Sequence, residues 1–115
     1  MIAEIVVADS FDESAGRLEG PEAKHVAAFV DKLAASPDSH GVRFEPVSRA
    51  HDRHMVSARA SRSLRAIAYE CAGVLTLLWV DHHDRAYTWA RARCVECHPV
   101  TGRVVRVYEF ERSGE

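Results

Sequence analysis

Leu64-Arg-Ala-Ile-Ala-Tyr-Glu70, Cys71-Ala-Gly73, Val74-Leu-Thr-Leu-Leu-Trp-Val80 and Asp81-His-His-Asp-Arg-Ala-Tyr-Thr-Trp-Ala-Arg-Ala-Arg93 form the stretch on which the reading of the chain turns. Leu64 to Glu70 alternates in the period-2 pattern of a strand. Val74 to Val80 is apolar almost throughout, as expected of a strand covered on both faces and therefore at the centre of a sheet. The turn at Cys71-Ala72-Gly73 makes these strands neighbours, and the second runs directly into a helix that opens on His82 and His83. Asp81 or Asp84 is expected to cap that helix. Helical spacing puts His83 and Tyr87 on one side of it.

Working outward, Met55 to Ala60 alternates as another strand, joined to Leu64 by a turn at Ser61-Arg62-Ser63. Val42 to Val47 reads as a short strand followed by a polar loop through Asp52. Ahead of it, a helix is expected from Pro21 to about Ala35, since proline needs no amide donor in a first turn. Val26, Phe29, Val30 and Leu33 share its apolar face, and Ser36-Pro37 through Gly41 ends it. Ile2 to Ala8 is a β-branched strand, and Ser10 with Glu13 forms a capping-box pattern for a short helix to about Leu18. At the other end, Val95 to Pro99 leads to a turn at Thr101-Gly102, and Val104 to Phe110 alternates as a last strand.

A chain of 115 residues, 47% apolar and 28% charged, suits one globular domain spanning 1–115 and gives no sign of disorder. The formal net charge of −2 runs against a general nucleic-acid binder, which gains affinity from surplus Lys and Arg. The cations are clustered, however: Arg59, Arg62 and Arg65 in one segment, then Arg85, Arg91 and Arg93. A local basic face survives the acidic total. Three cysteines, an odd number, argue against a disulfide framework and fit a reducing cytosol. Without an export signal or a long apolar run the chain reads as cytoplasmic and free of the membrane. Cys94-Val-Glu-Cys97-His98 spells a haem-attachment pattern, but that chemistry belongs to exported proteins, and a zinc site would need a fourth ligand. No metal or cofactor is expected.

Gly41-Val-Arg-Phe-Glu-Pro-Val47, Val56-Ser-Ala-Arg-Ala-Ser-Arg-Ser-Leu-Arg-Ala-Ile67 and Trp79-Val-Asp-His-His-Asp-Arg-Ala-Tyr-Thr-Trp-Ala90 carry a family resemblance. Together with the order of elements, they resemble the RelE/ParE superfamily, the toxins of bacterial type II toxin–antitoxin pairs. The His-His-Asp-x-Ala-Tyr-x-Trp-Ala signature resembles a subgroup that also occurs fused ahead of UvrD-like helicases, and His98-Pro-Val-Thr-Gly102 matches the segment that follows it there. The resemblance implies an α+β fold. An N-terminal strand and helical hairpin would pack on a mainly antiparallel twisted sheet, with a C-terminal helix after the central strand. It further implies a metal-independent RNA endonuclease of the mRNA interferase kind, with an antitoxin as partner and RNA or the ribosome as target. The alternatives within the resemblance are a non-catalytic protein- or nucleic-acid-binding module, such as the N-terminal domain of a UvrD-like helicase, and a ParE-like gyrase inhibitor.

Metal-free RNA cleavage needs a base for the 2′-hydroxyl, cations for the charge growing on the phosphate, and an acid for the leaving oxygen. Arg65 matches the family's central-strand arginine and would stabilise that charge; its plainer reading is a surface ion pair. Arg59 lies in register with an arginine of many members and would assist, whereas Arg62 also reads as solvated sheet edge. His82 and His83 stand where many members carry His-Arg or Lys-Arg. An imidazole there exchanges protons near neutral pH beside a helix N-terminus. His83, next to Tyr87, would be the acid or base, while His82 and Arg85 would hold phosphate or, for His82, cap the helix. Tyr87 aligns with the family's helix tyrosine and would stack on a base or carry a proton, or else pack its ring on the sheet. Trp89 reads as core or interface, and Asp84 as a cap or an orienter of histidine.

Overall fold

The structure, a computed structural model, describes residues 2–35 and 42–109. The expected break at Ser36 to Gly41 and the end of the last strand at Phe110 lie outside the described residues. The order of elements is β1 (Glu4–Val7), α1 (Asp9–Ala15), α2 (Pro21–Ala35), β2 (Glu45–Pro46), β3 (Met55–Arg59), β4 (Leu64–Cys71), β5 (Val74–His82), α3 (His83–Arg91), β6 (Arg93–Cys97) and β7 (Val104–Glu109). β1 to β5 form one sheet in the order β1-β5-β4-β3-β2, in which β1 joins β5 in parallel and the other pairs are antiparallel. The architecture is therefore α+β, with a mainly antiparallel sheet.

β4 and β5 meet through a turn whose central residues, Ala72 and Gly73, both have positive φ (50° and 81°), as a type I′ hairpin turn requires. β4, not β5, is the middle strand of the five. β5 is nonetheless flanked on both sides, because β1 pairs with it from Val74 to Leu77. Where β1 stops, α1 takes over the exposed strand edge. The Ser10 hydroxyl donates to the Leu78 carbonyl at 2.6 Å, and the Val80 amide donates to Ser14 Oγ at 3.0 Å. This corrects the capping-box expectation: α1 begins at Asp9 after Ala8, and Ser10 serves the sheet instead of the helix end.

Two apolar clusters cover the sheet, one on each face. On the first, Phe11 of α1 and Val26, Phe29 and Leu33 of α2 pack over Leu64, Ala66, Ala68, Leu75, Leu77 and Val80. On the second, Ala86, Trp89 and Ala90 of α3 pack with Met55, Ile67, Tyr69, Leu78 and Val95. Ile67 pairs with Trp79 and Ala68 with Leu77, so Leu78 is the extra residue of a β-bulge. The bulge turns both Leu78 and Trp79 toward α3, where simple alternation would have left Trp79 on the other side. α3 starts after His82 with no side-chain cap, so neither Asp81 nor Asp84 caps it. Asp81 instead accepts from the His82 amide at 2.8 Å.

β6 and β7 form a separate two-stranded ribbon. Val95 to Cys97, to which the sequence assigned no element, pairs there with Val107 to Val104. The ribbon is fastened to the main sheet by a Cys71–Cys97 disulfide, while Cys94 is a buried free thiol. This overturns the expectation of unpaired cysteines. An odd count forbids complete pairing, not a single bond, and only the fold brings the end of β4 to the end of β6. Among the described residues no helix is long and apolar enough to cross a membrane.

Candidate functional site

Arg59 and Arg65 are direct cross-strand partners at the end of β3 and start of β4. Ser57, two residues before Arg59 and on the same face, fixes which face this is, because its hydroxyl lies 3.3 Å from the Tyr87 hydroxyl of α3. Both arginines therefore rise on the α3 side of the sheet, about 7 Å along the strand from the Ser57–Tyr87 contact. The His83 amide donates to the Ser63 carbonyl at 3.2 Å and so pins the start of α3 to the β3–β4 turn.

On α3, His83, Tyr87 and Arg91 follow one another at four-residue spacing along one side. The His83 ring meets Tyr87 edge to face with centroids 4.7 Å apart, and the Arg91 guanidinium lies over the same ring at 5.7 Å. Arg91 is steadied by donating from Nε to the Ser48 carbonyl at 2.9 Å. Asp84 does not cap but holds His83, its carboxylate 3.0 Å from Nδ1, which leaves Nε2 as the ring atom open to a proton exchange. A hollow of about 450 Å³ lies beside this pair, lined by Ser63, His82, His83, Asp84 and Arg85.

The Arg65 guanidinium forms no ion pair with a carboxylate among the described residues. Its Nη1 donates instead to the carbonyls of Leu64 at 3.0 Å, Ser61 at 3.2 Å and Arg62 at 3.5 Å, which anchors it to the turn. Arg93, Arg103 and Arg106 pair with Glu109, Glu4 and Glu96 respectively. Among the described residues Arg59, Arg62, Arg65 and Arg85, near the β3–β4 turn or the first turn of α3, have no carboxylate partner, and neither do Arg17, Arg43, Arg49, Arg53 and Arg91 at other places.

His82 borders the hollow beside His83, but its ring is engaged elsewhere. It faces α2, with Nε2 2.8 Å from a Glu22 carboxylate oxygen and Nδ1 3.4 Å from Asp81. Adjacent residues at a strand end point to opposite faces, so the two histidines part company. Trp89 is buried in the α3-side core, stacked on Trp79 at 5.0 Å and 9° between planes. Arg17 lies over Trp79 at 5.4 Å and Arg93 over Trp89 at 4.7 Å. Sequence reasoning missed Ser57 and the placement of Arg91 over Tyr87. The signal for Ser57 was present, since it is the polar residue at an inward register of an alternating strand. Among the described residues no cluster of three or more His, Cys, Asp and Glu side chains could hold a metal ion.

No family model matches the chain, and no curated protein matches it by sequence. Solved structures do. One is a chain of the RelBE2 toxin–antitoxin complex from Mycobacterium tuberculosis, with a TM-score of 0.55 at 19% identity over 72% of this chain and 100% of that one. Another is a chain of the RelB-RelE antitoxin–toxin complex from Methanococcus jannaschii, with a TM-score of 0.58 at 12% identity over 73% of this chain and 96% of that one. At these identities the likeness is one of fold: nearly three-quarters of the chain is built like a chain of each RelBE complex.

Proposed function

We propose that this chain is the toxin of a RelE/ParE-type toxin–antitoxin pair, acting as a single domain, and that the α3 side of its sheet cleaves RNA without a metal. The observation that carries the proposal is the convergence of Arg59, Arg65, His83 and Tyr87 at one end of one sheet face. The fold shared with chains of two toxin–antitoxin complexes supports it and makes an antitoxin the expected partner. Arg65 and Arg59 would hold the scissile phosphate, with Arg62 and Arg85 drawing in the backbone. His83, steadied by Asp84, would transfer the proton, and Tyr87 would orient the substrate or relay that proton. His82 borders the hollow, but its ring is held by Glu22 and takes no proton-transfer role here.

Tightly controlled expression in bacteria, with growth and messenger-RNA integrity measured beside the Arg65→Ala/His83→Ala double variant, tests this reading. Growth arrest with RNA cleavage, both lost in the variant, is the expected result. Normal growth with intact RNA overturns it. A second reading, a non-catalytic binding module such as a helicase-associated domain, is favoured by one observation: the Arg65 guanidinium is already held by turn carbonyls. Growth arrest with intact RNA would point instead to a protein target such as gyrase.

A further inference from the structure

Cys71 and Cys97 close their disulfide at the end of β4 remote from Arg65, far from the proposed RNA site. Both residues are half-buried, and both stand in the wall of an open hollow of about 420 Å³. Lack of access is what usually protects a structural disulfide from thiols, and here access is given. The rim carries Arg53, His54 and Glu70. Among the described residues Arg53 has no carboxylate partner, so its charge is available to a visitor. Glu70 opposes an anion but lies on the same rim as two groups that favour one.

The surroundings are also shaped for an opened bond. Cys71 Sγ lies 3.8 Å from the His98 carbonyl oxygen, within reach of a thiol that donates to it. The turn between β6 and β7 is pressed down on the same place. Gly102 sits at φ +76°, and a Cβ there would collide with the Cys71 carbonyl oxygen and the Val74 side chain. The ribbon is thus seated on Cys71 by close packing and fastened there by the disulfide.

We infer that the Cys71–Cys97 disulfide is a thiol-exchange site for a low-molecular-weight thiol bearing carboxylates, and that its opening loosens the β6–β7 ribbon from the β4–β5 turn. The incoming thiolate attacks Cys97 Sγ and forms a mixed disulfide. The Cys71–Cys97 bond breaks, and Cys71 leaves as a thiolate, takes a proton from water and donates to the His98 carbonyl. A second thiolate attacks the small-molecule sulfur of the adduct, releasing the small disulfide and the Cys97 thiolate, which is protonated in turn. Two small thiols are oxidised to one disulfide, and the protein disulfide is reduced to two thiols. The reverse exchange with the small disulfide closes the bond again.

The test uses the full oxidised chain with reduced glutathione as the anionic probe and cysteamine as the cationic one, at matched thiolate concentration. Adducts are trapped by acid and located by mass spectrometry, and amide hydrogen exchange is followed across 93–97 and 104–109. Glutathione should open the bond several-fold faster than cysteamine, leave its adduct on Cys97 and raise exchange in the ribbon. The preference should vanish in Arg53→Gln, an exposed position whose substitution does not threaten the fold. Equal rates for the two thiols, an adduct on Cys71, a disulfide that survives both thiols in the folded chain, or three freely alkylated cysteines after air oxidation would each overturn the assignment. Reduction without a rise in ribbon exchange would overturn the loosening.

Discussion

Tyr69 is buried beneath α3 with its hydroxyl bonded to Asp52, and burial, reinforced by that carboxylate, pushes its phenol from 10.0 up to about 12. The folded chain therefore holds this proton more tightly than the unfolded chain does. Its contribution is complete below pH 10 and is lost as pH rises from there toward about 12, because over that range the native state binds more protons. The gap is worth about 2–3 kcal/mol. Stability measured by urea unfolding should fall steeply across that window, and Tyr69→Phe should flatten the fall while being less stable than the parent at neutral pH. A fall equally steep in both proteins would show that Tyr69 does not drive it. Tyr87 allows a different test, since among the described residues its hydroxyl has Ser57 as its hydrogen-bond partner and its ring is half-buried. Under the RNA-cleaving proposal, Tyr87→Phe should slow cleavage roughly a hundredfold if the hydroxyl moves a proton. Its thermal unfolding should shift by no more than a neutral hydrogen bond is worth, about 1 kcal/mol. At this scale the sequence spoke where contacts are local. His83 beside Tyr87 follows from helical spacing, but His82 against Glu22 joins residues 60 apart and leaves no local trace.

Elements were legible in proportion to the length of their periodic pattern. α2 runs from Pro21 to Ala35 as its apolar stripe and flanking prolines predict, β3 and β4 fall within a residue or two of their alternating stretches, and β5 within two residues of its apolar run. The caps of α1 and α3 were misread, because a serine or aspartate near a helix end can serve a neighbour instead of the helix. Ser14 shows how much such service matters. It is 3% exposed, donates to the Phe11 carbonyl at 2.9 Å and accepts from the Val80 amide, which has lost the pairing β1 would have supplied. Ser14→Ala should destabilise the chain by about 1–3 kcal/mol, the cost of an unpaired buried amide, as read from denaturant midpoints. A change within a few tenths would mean that water reaches the β5 edge there. The ribbon was half-read, since β7 alternates while β6 is short and follows the helix after a single residue. Gly102→Ala tests its seating: a positive φ combined with a backbone collision should cost about 1–3 kcal/mol and raise hydrogen exchange in β6 and β7 before it does so in β4.

Across the whole molecule, the sheet is a wall shared by two cores, and that explains why a strand as apolar as β5 was recognisable while the sides its residues face were not. A doubly covered strand erases the alternation that would report them, and the bulge at Leu78 shifts what remains. Charge is organised on the same plan. A chain with a net charge of −2 pairs three of its arginines with glutamates, on the ribbon and between the ribbon and β1. It leaves Arg59, Arg62, Arg65 and Arg85 without carboxylates among the described residues, gathered at the other end of the molecule. Clustering in sequence hinted at this face, and the ion pairs take Arg93, Arg103 and Arg106 out of it, while Arg53, also without a carboxylate among the described residues, lies away from it. If these arginines each neutralise one phosphate of a single-stranded RNA, each should add about 0.7 to the salt slope, and the logarithm of affinity should fall with the logarithm of salt by roughly 3. Arg59→Ala should reduce that slope by about 0.7 and weaken binding without regard to base sequence, whereas Arg106→Ala, which removes a cation already paired with Glu96, should leave the slope unchanged. Binding measured against a salt series decides between them. A slope near zero, or one that responds equally to both substitutions, would mean that the unpaired arginines do not form a phosphate-binding face.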